Sequence, residues 1–324
     1  MNEERFREAE KALWSYAGAS PRERRVRLAV SGVDVRVQEV GEGRPVLFVH
    51  GGPNSGSTWA VLAARLTGHR CLVLDRPGTG LSEPVRLGLD QVAPFADRLV
   101  VEVLDALGIE RADFIGSSFG SYVGLRSAAA HPDRIGRMVH LGCPPFLDGG
   151  GVPPFMRFGM LPGARHLITA LPPTMGAVRM VMRQIGHGRS LDAGRFSEPF
   201  LTWYLALQRY TDTMRNELAL IATVGSVARG FHPSLMLGED VLGAAAAPAY
   251  LLWGEVDPFG GPEVGRRLAA ALPSAELEVF PDAGHLPWLD NPDRSAERIG
   301  AFLGAARGAA TGTPDHEWDA GGTD

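Results

Sequence analysis

A serine between two glycines stands where a predicted strand meets a predicted helix. The strand covers residues 112–115, the turn runs from Gly116 to Gly120, and the helix begins near Tyr122. A serine held in so tight a turn has a strained backbone, so the residues two positions away on either side must be nearly free of side chain. The turn points the Ser118 hydroxyl out of the sheet edge, where a histidine can reach it. The spacing therefore predicts that Ser118 is a nucleophile that attacks carbonyl groups.

An aspartate and a histidine follow the last two predicted strands of the chain. Asp257 comes after the strand at 248–253, and His285 comes after the strand at 275–280. Side chains at the carboxyl ends of parallel strands meet at one edge of a sheet. The order serine, aspartate, histidine also fits a nucleophile turn of this kind. We therefore expect His285 to take the proton of Ser118, and Asp257 to orient the imidazole.

Three further titratable residues lie in or beside these motifs. Glu255 is an alternative acid, two residues before Asp257. Asp75 lies in a loop rich in glycine and proline, and we expect it to be structural. His50 precedes its loop instead of following the acid, so we expect it to brace that loop.

Two backbone amides could stabilise the negative charge that develops on a carbonyl oxygen under attack. The apolar run at 45–49 indicates a strand buried on both faces, and it leads into a glycine-rich loop at 50–53. Glycine lets a backbone N–H approach a ligand without a Cβ in the way. The N–H groups of Gly52 and Phe119 are therefore the predicted oxyanion donors.

The composition is that of an ordinary globular protein. The 324 residues are 45% hydrophobic and 21% charged, with a net charge of -5, so the chain can bury a large core. The mild acidity and the lack of a long basic run argue against nucleic acid as a partner. Cys71 and Cys143 have no metal or redox spacing, so we expect two buried thiols in a reducing compartment.

The sequence gives no sign of secretion or membrane insertion. Its first residues carry no apolar signal region. The longest apolar run, 244–253, is broken by Pro248 and is too short to cross a bilayer. We expect a cytoplasmic protein without a membrane span, present as a monomer or a homodimer.

Strand and helix patterns divide the chain into parts. Helical spacing predicts an N-terminal helix within residues 1–20. Alternating strands and helices over 21–145 and 238–308 predict a core with a mostly parallel sheet. Residues 146–237 have little strand signal, and Gly and Pro clusters separate helical segments such as 175–185 and 199–224 there, so we expect a helical lid. Residues 309–324 are rich in Gly, Thr and Asp, and we expect them to be disordered.

Aromatic and methionine side chains are frequent in the predicted lid. Methionine-rich surfaces adapt to irregular apolar ligands, although more than half of these side chains must pack the lid against the core. Four aromatic residues are candidates for contact with a small apolar or aromatic carbonyl substrate: Phe146, Trp203, Tyr204 and Trp288.

Five motifs together resemble the α/β-hydrolase-fold superfamily. They are His50-Gly51-Gly52-Pro53, Asp75-Arg76-Pro77-Gly78-Thr79-Gly80-x-Ser82, Gly116-x-Ser118-x-Gly120, Gly254-x-x-Asp257 and Gly284-His285, each at the end of a predicted strand. The resemblance covers about residues 24–145 and 240–305. It points to lid-bearing members, which include esterases, proline iminopeptidases, C–C bond hydrolases and cofactor-free haloperoxidase-like enzymes. It implies an α/β fold with a mostly parallel eight-stranded sheet flanked by helices, and a helical lid inserted after strand 6.

Individual residues within these motifs argue against some of the activities that the superfamily includes. Ser118 stands where relatives that act on epoxides or haloalkanes carry aspartate, which argues against both activities. Asn54 and Ser55 replace a glycine typical of the proline iminopeptidase loop, which argues against a peptidase. The resemblance implies a serine hydrolase with a Ser-His-Asp triad. We expect it to act on an ester, thioester or lactone with an apolar body, and to use no metal or organic cofactor.

Other activities stay open on the same residues. The triad could cleave a C–C bond beside a ketone, or pass an acyl group to an alcohol or amine. A lyase or cyclase could use His285 as a base while Ser118 positions the substrate. The chain could also be a non-catalytic ligand-binding module, although such a module does not need an acid that orients a base.

Overall fold

Eight strands form one large sheet, and two short strands form a separate hairpin. The computed structural model describes residues 2–304 apart from 162, 164–167, 169–171 and 229. Within these residues the strands are β1 (Arg22–Arg27), β2 (Asp34–Val40), β3 (Arg44–Val49), β4 (His69–Leu74), β5 (Ala112–Ser117), β6 (Ile135–Leu141), β7 (Gly225–Ser226), β8 (Gly230–Phe231), β9 (Ala249–Gly254) and β10 (Ala275–Phe280). The short hairpin is β7 with β8.

The strand order of the large sheet is β1-β2-β4-β3-β5-β6-β9-β10. β1 pairs antiparallel with β2, and β2 pairs antiparallel with β4. The other pairs are all parallel. The prediction of a mostly parallel, eight-stranded sheet is confirmed. The carboxyl ends of β4, β3, β5, β6, β9 and β10 consequently share one edge of the sheet.

Helices cover the sheet and fill the segment between β6 and β9. The α-helices in the described residues are Glu3–Tyr16, Ala60–Ala63, Leu89–Leu107, Phe119–Ala130, Pro154–Gly159, Met175–Met182, Gly188–Asp192, Glu198–Tyr210, Thr213–Val224, Glu239–Ala244, Pro262–Ala271, Pro287–Asp290 and Pro292–Gly304. Gly56–Trp59 and Pro233–Leu235 are short 3₁₀ helices, and Arg183–His187 is a π-helical turn.

The central strand β3 needs cover on both faces because its side chains alternate between two apolar clusters. Phe48 lies in one cluster and Val49 in the other, and both are fully buried. Helix Leu89–Leu107 covers the face of Val49. Helices Glu3–Tyr16 and Pro292–Gly304 cover the face of Phe48. An apolar run in the sequence is typical of such a strand, which is buried on both sides.

The N-terminal helix is bound to the core by a buried ion network. Both carboxylate oxygens of Glu10 accept hydrogen bonds from Arg36, at 2.6 and 2.7 Å. Arg36 also contacts Asp75 at 2.7 Å, and Asp75 accepts the N–H of Gly56 and of Leu81. These contacts confirm the expected structural role of Asp75, because they use both of its carboxylate oxygens.

Residues 146–237 are largely helical where the structure describes them, with one departure from the predicted pattern. Sequence spacing predicted one helix over 199–224, whereas the chain forms two, Glu198–Tyr210 and Thr213–Val224. The break arises because Thr211 is extended, and its hydroxyl accepts the N–H of Thr213 at 3.2 Å. That this segment acts as a lid stays a proposal.

Both cysteines are free and buried. Burial raises the pKa of the Cys71 thiol to about 12. In the described part of the chain, no helix has both the length and the apolar character that a membrane crossing requires. The predicted disordered tail, 309–324, lies outside the described residues.

Candidate active site

Ser118 occupies a strained turn between β5 and helix Phe119–Ala130. Its φ of 51° and ψ of -122° lie in a region that side chains rarely adopt. The turn is possible because its flanks are glycines. A Cβ on Gly116 would approach the backbone of Gly120 within 2.9 Å, and a Cβ on Gly120 would collide with the Val49 carbonyl. This is the geometry that the Gly-x-Ser-x-Gly spacing predicts.

Asp257 and His285 form a buried hydrogen-bonded pair. His285 Nδ1 lies 2.9 Å from Asp257 Oδ2, and the Asp257 side chain has no exposed surface. Asp257 also accepts the N–H of Cys143 at 2.8 Å and the N–H of Phe259 at 2.9 Å. Because three donors fix the carboxylate, it can hold the imidazole in one orientation and stabilise its protonated form.

The topology brings the serine and the His–Asp pair to the same edge of the sheet. Ser118 follows β5, Asp257 follows β9 and His285 follows β10, and β6 lies between β5 and β9. Ser118 is partly exposed, so its hydroxyl can be approached. The roles of nucleophile, base and acid at these three residues stay proposals that this arrangement supports.

The glycine loop after β3 lies against the nucleophile turn. A Cβ on Gly51 would sit 2.6 Å from Ser118 Cβ and 3.3 Å from Ser118 Oγ. Within the described residues, the N–H groups of Gly52 and Phe119 donate no hydrogen bond to the protein. Two unused donors beside a nucleophile are what an oxyanion site requires. The assignment of Gly52 and Phe119 as oxyanion donors therefore stays in place as a proposal.

Arg76 holds the glycine-rich loop at 50–53, which we call the oxyanion loop after its proposed role, and the sequence did not reveal Arg76 as a site residue. Its guanidinium donates to the carbonyls of His50 at 2.8 Å and Gly51 at 3.1 Å. It also pairs with Glu217 at 2.7 Å and lies over the Phe119 ring at 5.0 Å. Arg76 thus contacts the residues of both proposed oxyanion elements. Its position in the Asp75-Arg76-Pro77 motif is the signal that could have pointed to it.

Glu217 comes from helix Thr213–Val224 and reaches the same loop. Its Oε2 stands where a Cβ on Gly52 would lie, so a side chain at that position would have to displace the Glu217 carboxylate. The carboxylate is buried and is paired with Arg76. Nothing local in the sequence marks Glu217, because its partner is 141 residues away.

His50 braces its loop, as expected. Its Nε2 accepts the Arg76 N–H at 3.2 Å and lies 3.0 Å from the Thr79 hydroxyl. Burial, and next the charge of Arg76, holds the pKa of His50 well below its usual range. The alternative acid Glu255 is exposed and accepts the N–H of Asp282 instead of contacting a histidine.

The four aromatic candidates for substrate contact fall into two groups. Trp203 and Trp288 are fully buried, and Trp288 stacks on Trp59 at 4.3 Å. This burial favours packing roles for both tryptophans. Phe146 packs 6.5 Å from the Phe119 ring and 4.7 Å from the ring of Tyr122, which places it beside the nucleophile turn.

Tyr204 belongs with Phe146 as a candidate for substrate contact. Burial, and next the nearby Glu217 carboxylate, raises the pKa of its hydroxyl. Tyr204 is therefore close to the residue that touches the oxyanion loop. Substrate contact at any of the four aromatic residues stays a prediction.

The fold and these motifs define an α/β hydrolase. A family model described as the alpha/beta hydrolase fold matches residues 44–292. The chain belongs to this family. Its relatives include hydrolases that are named for small-molecule substrates, which supports the expectation of a small-molecule substrate but not the apolar or aromatic character that we expected.

Relatives with assigned activities align with this chain over most of its length. It is 27% identical, over 86% of its length and 94% of the relative's, to a 2-hydroxy-6-oxononadienedioate/2-hydroxy-6-oxononatrienedioate hydrolase of Paraburkholderia phymatum. It is 24% identical, over 82% of its length and 89% of the relative's, to a 2-hydroxy-6-oxo-6-phenylhexa-2,4-dienoate hydrolase of Burkholderia cepacia.

Solved structures support the fold. A 2-hydroxy-6-oxo-6-phenylhexa-2,4-dienoate hydrolase from Rhodococcus sp. strain RHA1 superposes with a TM-score of 0.72 at 17% identity, covering 89% of this chain and 100% of that one. A carboxylesterase from Bacillus subtilis superposes with a TM-score of 0.71 at 18% identity, covering 93% of this chain and 98% of that one. At these identities the likeness concerns the fold alone.

Proposed function

We propose that this chain is a serine hydrolase that cleaves a C–C bond beside a ketone, with Ser118 as the nucleophile. The 2.9 Å pair of His285 and Asp257 at the sheet edge of Ser118 carries the proposal, because it provides a base for a serine. The names of the relatives are the reason why we propose a C–C bond, and not an ester bond, as the bond that is cleaved. This departs from our expectation from the sequence, which put ester cleavage first and C–C cleavage second.

The names of the relatives restrict the chemistry. A 2-hydroxy-6-oxo-dienoate contains no ester, thioester, lactone or amide linkage. A hydrolase that acts on it must therefore break a C–C bond, and the bond next to the 6-oxo group is the one that attack on a carbonyl can break. The coverage of both relatives extends over more than four fifths of this chain.

The residues of this site can carry out every step of the proposed reaction after the first proton shift. A proton first moves from the 2-hydroxyl to carbon 5, which makes the departing carbon saturated. Ser118 Oγ then attacks carbon 6 as His285 takes its proton, and the N–H groups of Gly52 and Phe119 stabilise the oxyanion. The C–C bond breaks, its electron pair delocalises onto the 2-oxo group, and the proton on His285 neutralises the leaving group. Water activated by His285 then releases the acid and regenerates Ser118.

Ester hydrolysis is the second candidate, and the Arg76–Glu217 pair favours it. A substrate with two carboxylates needs cations, whereas Arg76 beside the oxyanion loop is already paired with a buried carboxylate. A neutral ester or lactone with an apolar body avoids that requirement. The two candidates share every catalytic residue and differ in the bond that breaks.

A pair of substrates with the same acyl group separates the two candidates. We would compare 2-hydroxy-6-oxo-6-phenylhexa-2,4-dienoate with 4-nitrophenyl benzoate, since both transfer a benzoyl group to the serine. Benzoate and 2-hydroxypenta-2,4-dienoate would be identified by mass spectrometry. The proposal predicts a higher kcat/KM for the dienoate, lost by about a thousandfold or more in Ser118→Ala. Turnover of the ester alone would favour the second candidate, and no turnover of either would contradict both.

A further inference from the structure

A turn in the proposed lid contacts the loop that carries His285. The π-helical turn Arg183–His187 departs from helical geometry at Gly186, where φ is 95°. A Cβ on Gly186 would lie 2.7 Å from the Val256 carbonyl oxygen and 2.8 Å from Gly284 Cα. The turn therefore sits against both loops of the acid–base pair.

Three consecutive backbone N–H groups of the His285 loop are hydrogen-bonded, two of them to the Arg183–His187 turn and one to Asp290 of helix Pro287–Asp290. The His285 N–H donates to the Ile185 carbonyl at 2.9 Å. The Leu286 N–H donates to His187 Nε2 at 3.2 Å. The Gly284 N–H donates to Asp290 Oδ2 at 2.9 Å. Because each donor is fixed, the loop has little freedom to rotate the imidazole away from its partner.

His187 and Asp290 form a second buried His–Asp pair. His187 Nδ1 lies 3.0 Å from Asp290 Oδ1, and the His187 side chain has no exposed surface. Because a backbone N–H can only donate, Nε2 of His187 must accept from Leu286, and its proton must be on Nδ1. That tautomer donates to Asp290, so one neutral imidazole satisfies both neighbours.

We propose that His187, supported by Asp290, is a positioning residue that holds the imidazole of His285 against Asp257. The inference rests on the proposed function only in naming His285 as the base. It extends that function by giving the segment between β6 and β9 a part in assembling the acid–base pair. His187 itself touches neither the serine nor the substrate in this account.

A purely structural histidine would behave differently from a positioning one. Loss of a structural histidine lowers the stability of the fold and leaves the native His285 geometry as it was. Loss of a positioning histidine changes the behaviour of His285 in molecules that are still folded. The test must therefore read out His285 directly, under conditions where each variant is folded.

We would compare three variants with the unmodified chain. His187→Phe keeps a ring and removes both hydrogen bonds. His187→Gln restores them in part, because the nitrogen and oxygen of a carboxamide are spaced like the two imidazole nitrogens. Arg183→Gln is the matched control, since it removes only an exposed ion pair with Asp192 from the same turn.

Two readouts are measured on each variant. The first is the exchange rate with water of the His285 Nδ1 proton, followed by NMR as a downfield resonance. The second is the rate of Ser118 phosphonylation by a fluorophosphonate over a range of pH. We expect about tenfold faster exchange and about tenfold slower labelling in His187→Phe, the size expected from a lost hydrogen bond. We expect partial rescue in His187→Gln and no change in Arg183→Gln.

The outcomes separate this inference from the proposed function. Unchanged proton exchange and labelling in a folded His187→Phe variant would overturn the inference. Changed exchange, together with an unmodified chain that is not labelled at all, would support the inference and contradict the proposed function. If His187→Phe does not fold, Asp290→Asn takes its place, because it removes the negative charge and one of the two oxygens that His187 Nδ1 contacts at 3.0 and 2.9 Å, while its amide oxygen can still bind the Gly284 N–H.

Discussion

Ser118 combines backbone strain with the position that we propose for the nucleophile. Its φ of 51° is unfavourable for any residue with a Cβ, and the fold tolerates it because Gly116 and Gly120 leave the space. The sequence predicted this turn from spacing alone, since only glycine satisfies both flanks. The strain also has a consequence for stability that can be measured without a substrate.

At position 118, glycine should give a more stable protein than alanine. Both Ser118→Gly and Ser118→Ala remove the proposed nucleophile, but only alanine keeps the Cβ that strains this backbone. We expect the free energy of unfolding of Ser118→Gly to exceed that of Ser118→Ala by about 1 kcal/mol, measured by urea denaturation. An alanine variant of equal or greater stability would contradict the strain inferred here.

Because His140 is buried, it makes the free energy of unfolding depend on pH. It is fully buried on β6, and burial lowers its pKa to about 3. In the unfolded chain a histidine titrates near pH 6.5, so below that pH the unfolded state binds more protons. The free energy of unfolding therefore falls as the pH drops from about 6.5 towards 3.

The measurement compares the chain with His140→Leu by urea denaturation at pH 7 and pH 5. We expect His140 to account for about 2 kcal/mol of the stability lost between these two pH values. Between pH 7 and pH 5, His140→Leu should therefore lose about 2 kcal/mol less stability than the unmodified chain. Equal losses in the two proteins would show that His140 does not titrate on unfolding.

At the scale of elements, the sequence located the strands and the loops that follow them. Apolar runs and Gly/Pro punctuation placed β5, β9 and β10, and the residues after them, because these signals are local. The sequence did not reveal Arg76 with Glu217 or His187 with Asp290 as partners. Each of these pairs joins two distant segments, and no periodicity or spacing within one segment encodes such a contact.

The Arg76–Glu217 pair makes a prediction for helix Thr213–Val224. Breaking a buried ion pair from one side leaves the other charge without compensation. We expect Glu217→Gln to lower the free energy of unfolding by about 3 kcal/mol. The double variant Arg76→Met with Glu217→Gln should lose less stability than the sum of the two single variants, because no uncompensated charge remains in it.

Denaturant unfolding of the two single variants and the double variant gives the coupling energy of the pair. Glu263→Gln, which removes an exposed pair with Arg266, is the matched control and should change stability little. Strictly additive losses in the double variant would contradict a coupled pair.

For the whole molecule, the N-terminal helix joins parts that are far apart in the chain. Phe6 lies in the same apolar cluster as Phe200 of helix Glu198–Tyr210 and Phe48 of β3. The Asn2 N–H also donates to the Tyr210 carbonyl at 2.9 Å. One cluster thus connects the leading helix, the sheet and the segment proposed as a lid.

This shared cluster predicts that the chain unfolds in one transition. We expect tryptophan fluorescence and far-UV circular dichroism to give the same denaturation midpoint. Phe6→Ala should lower that midpoint for both signals together, with a loss of about 3 kcal/mol or more. Two separated transitions would show that the segment between β6 and β9 unfolds independently of the sheet.

The most direct test of the central claim is the site and rate of covalent labelling by a fluorophosphonate. Peptide mass spectrometry would locate the adduct in the unmodified chain and in His285→Gln. We predict a single adduct on Ser118, which forms at least about a hundredfold more slowly when His285 is replaced. An adduct on another residue, or equal rates in the two proteins, would contradict a serine nucleophile activated by His285.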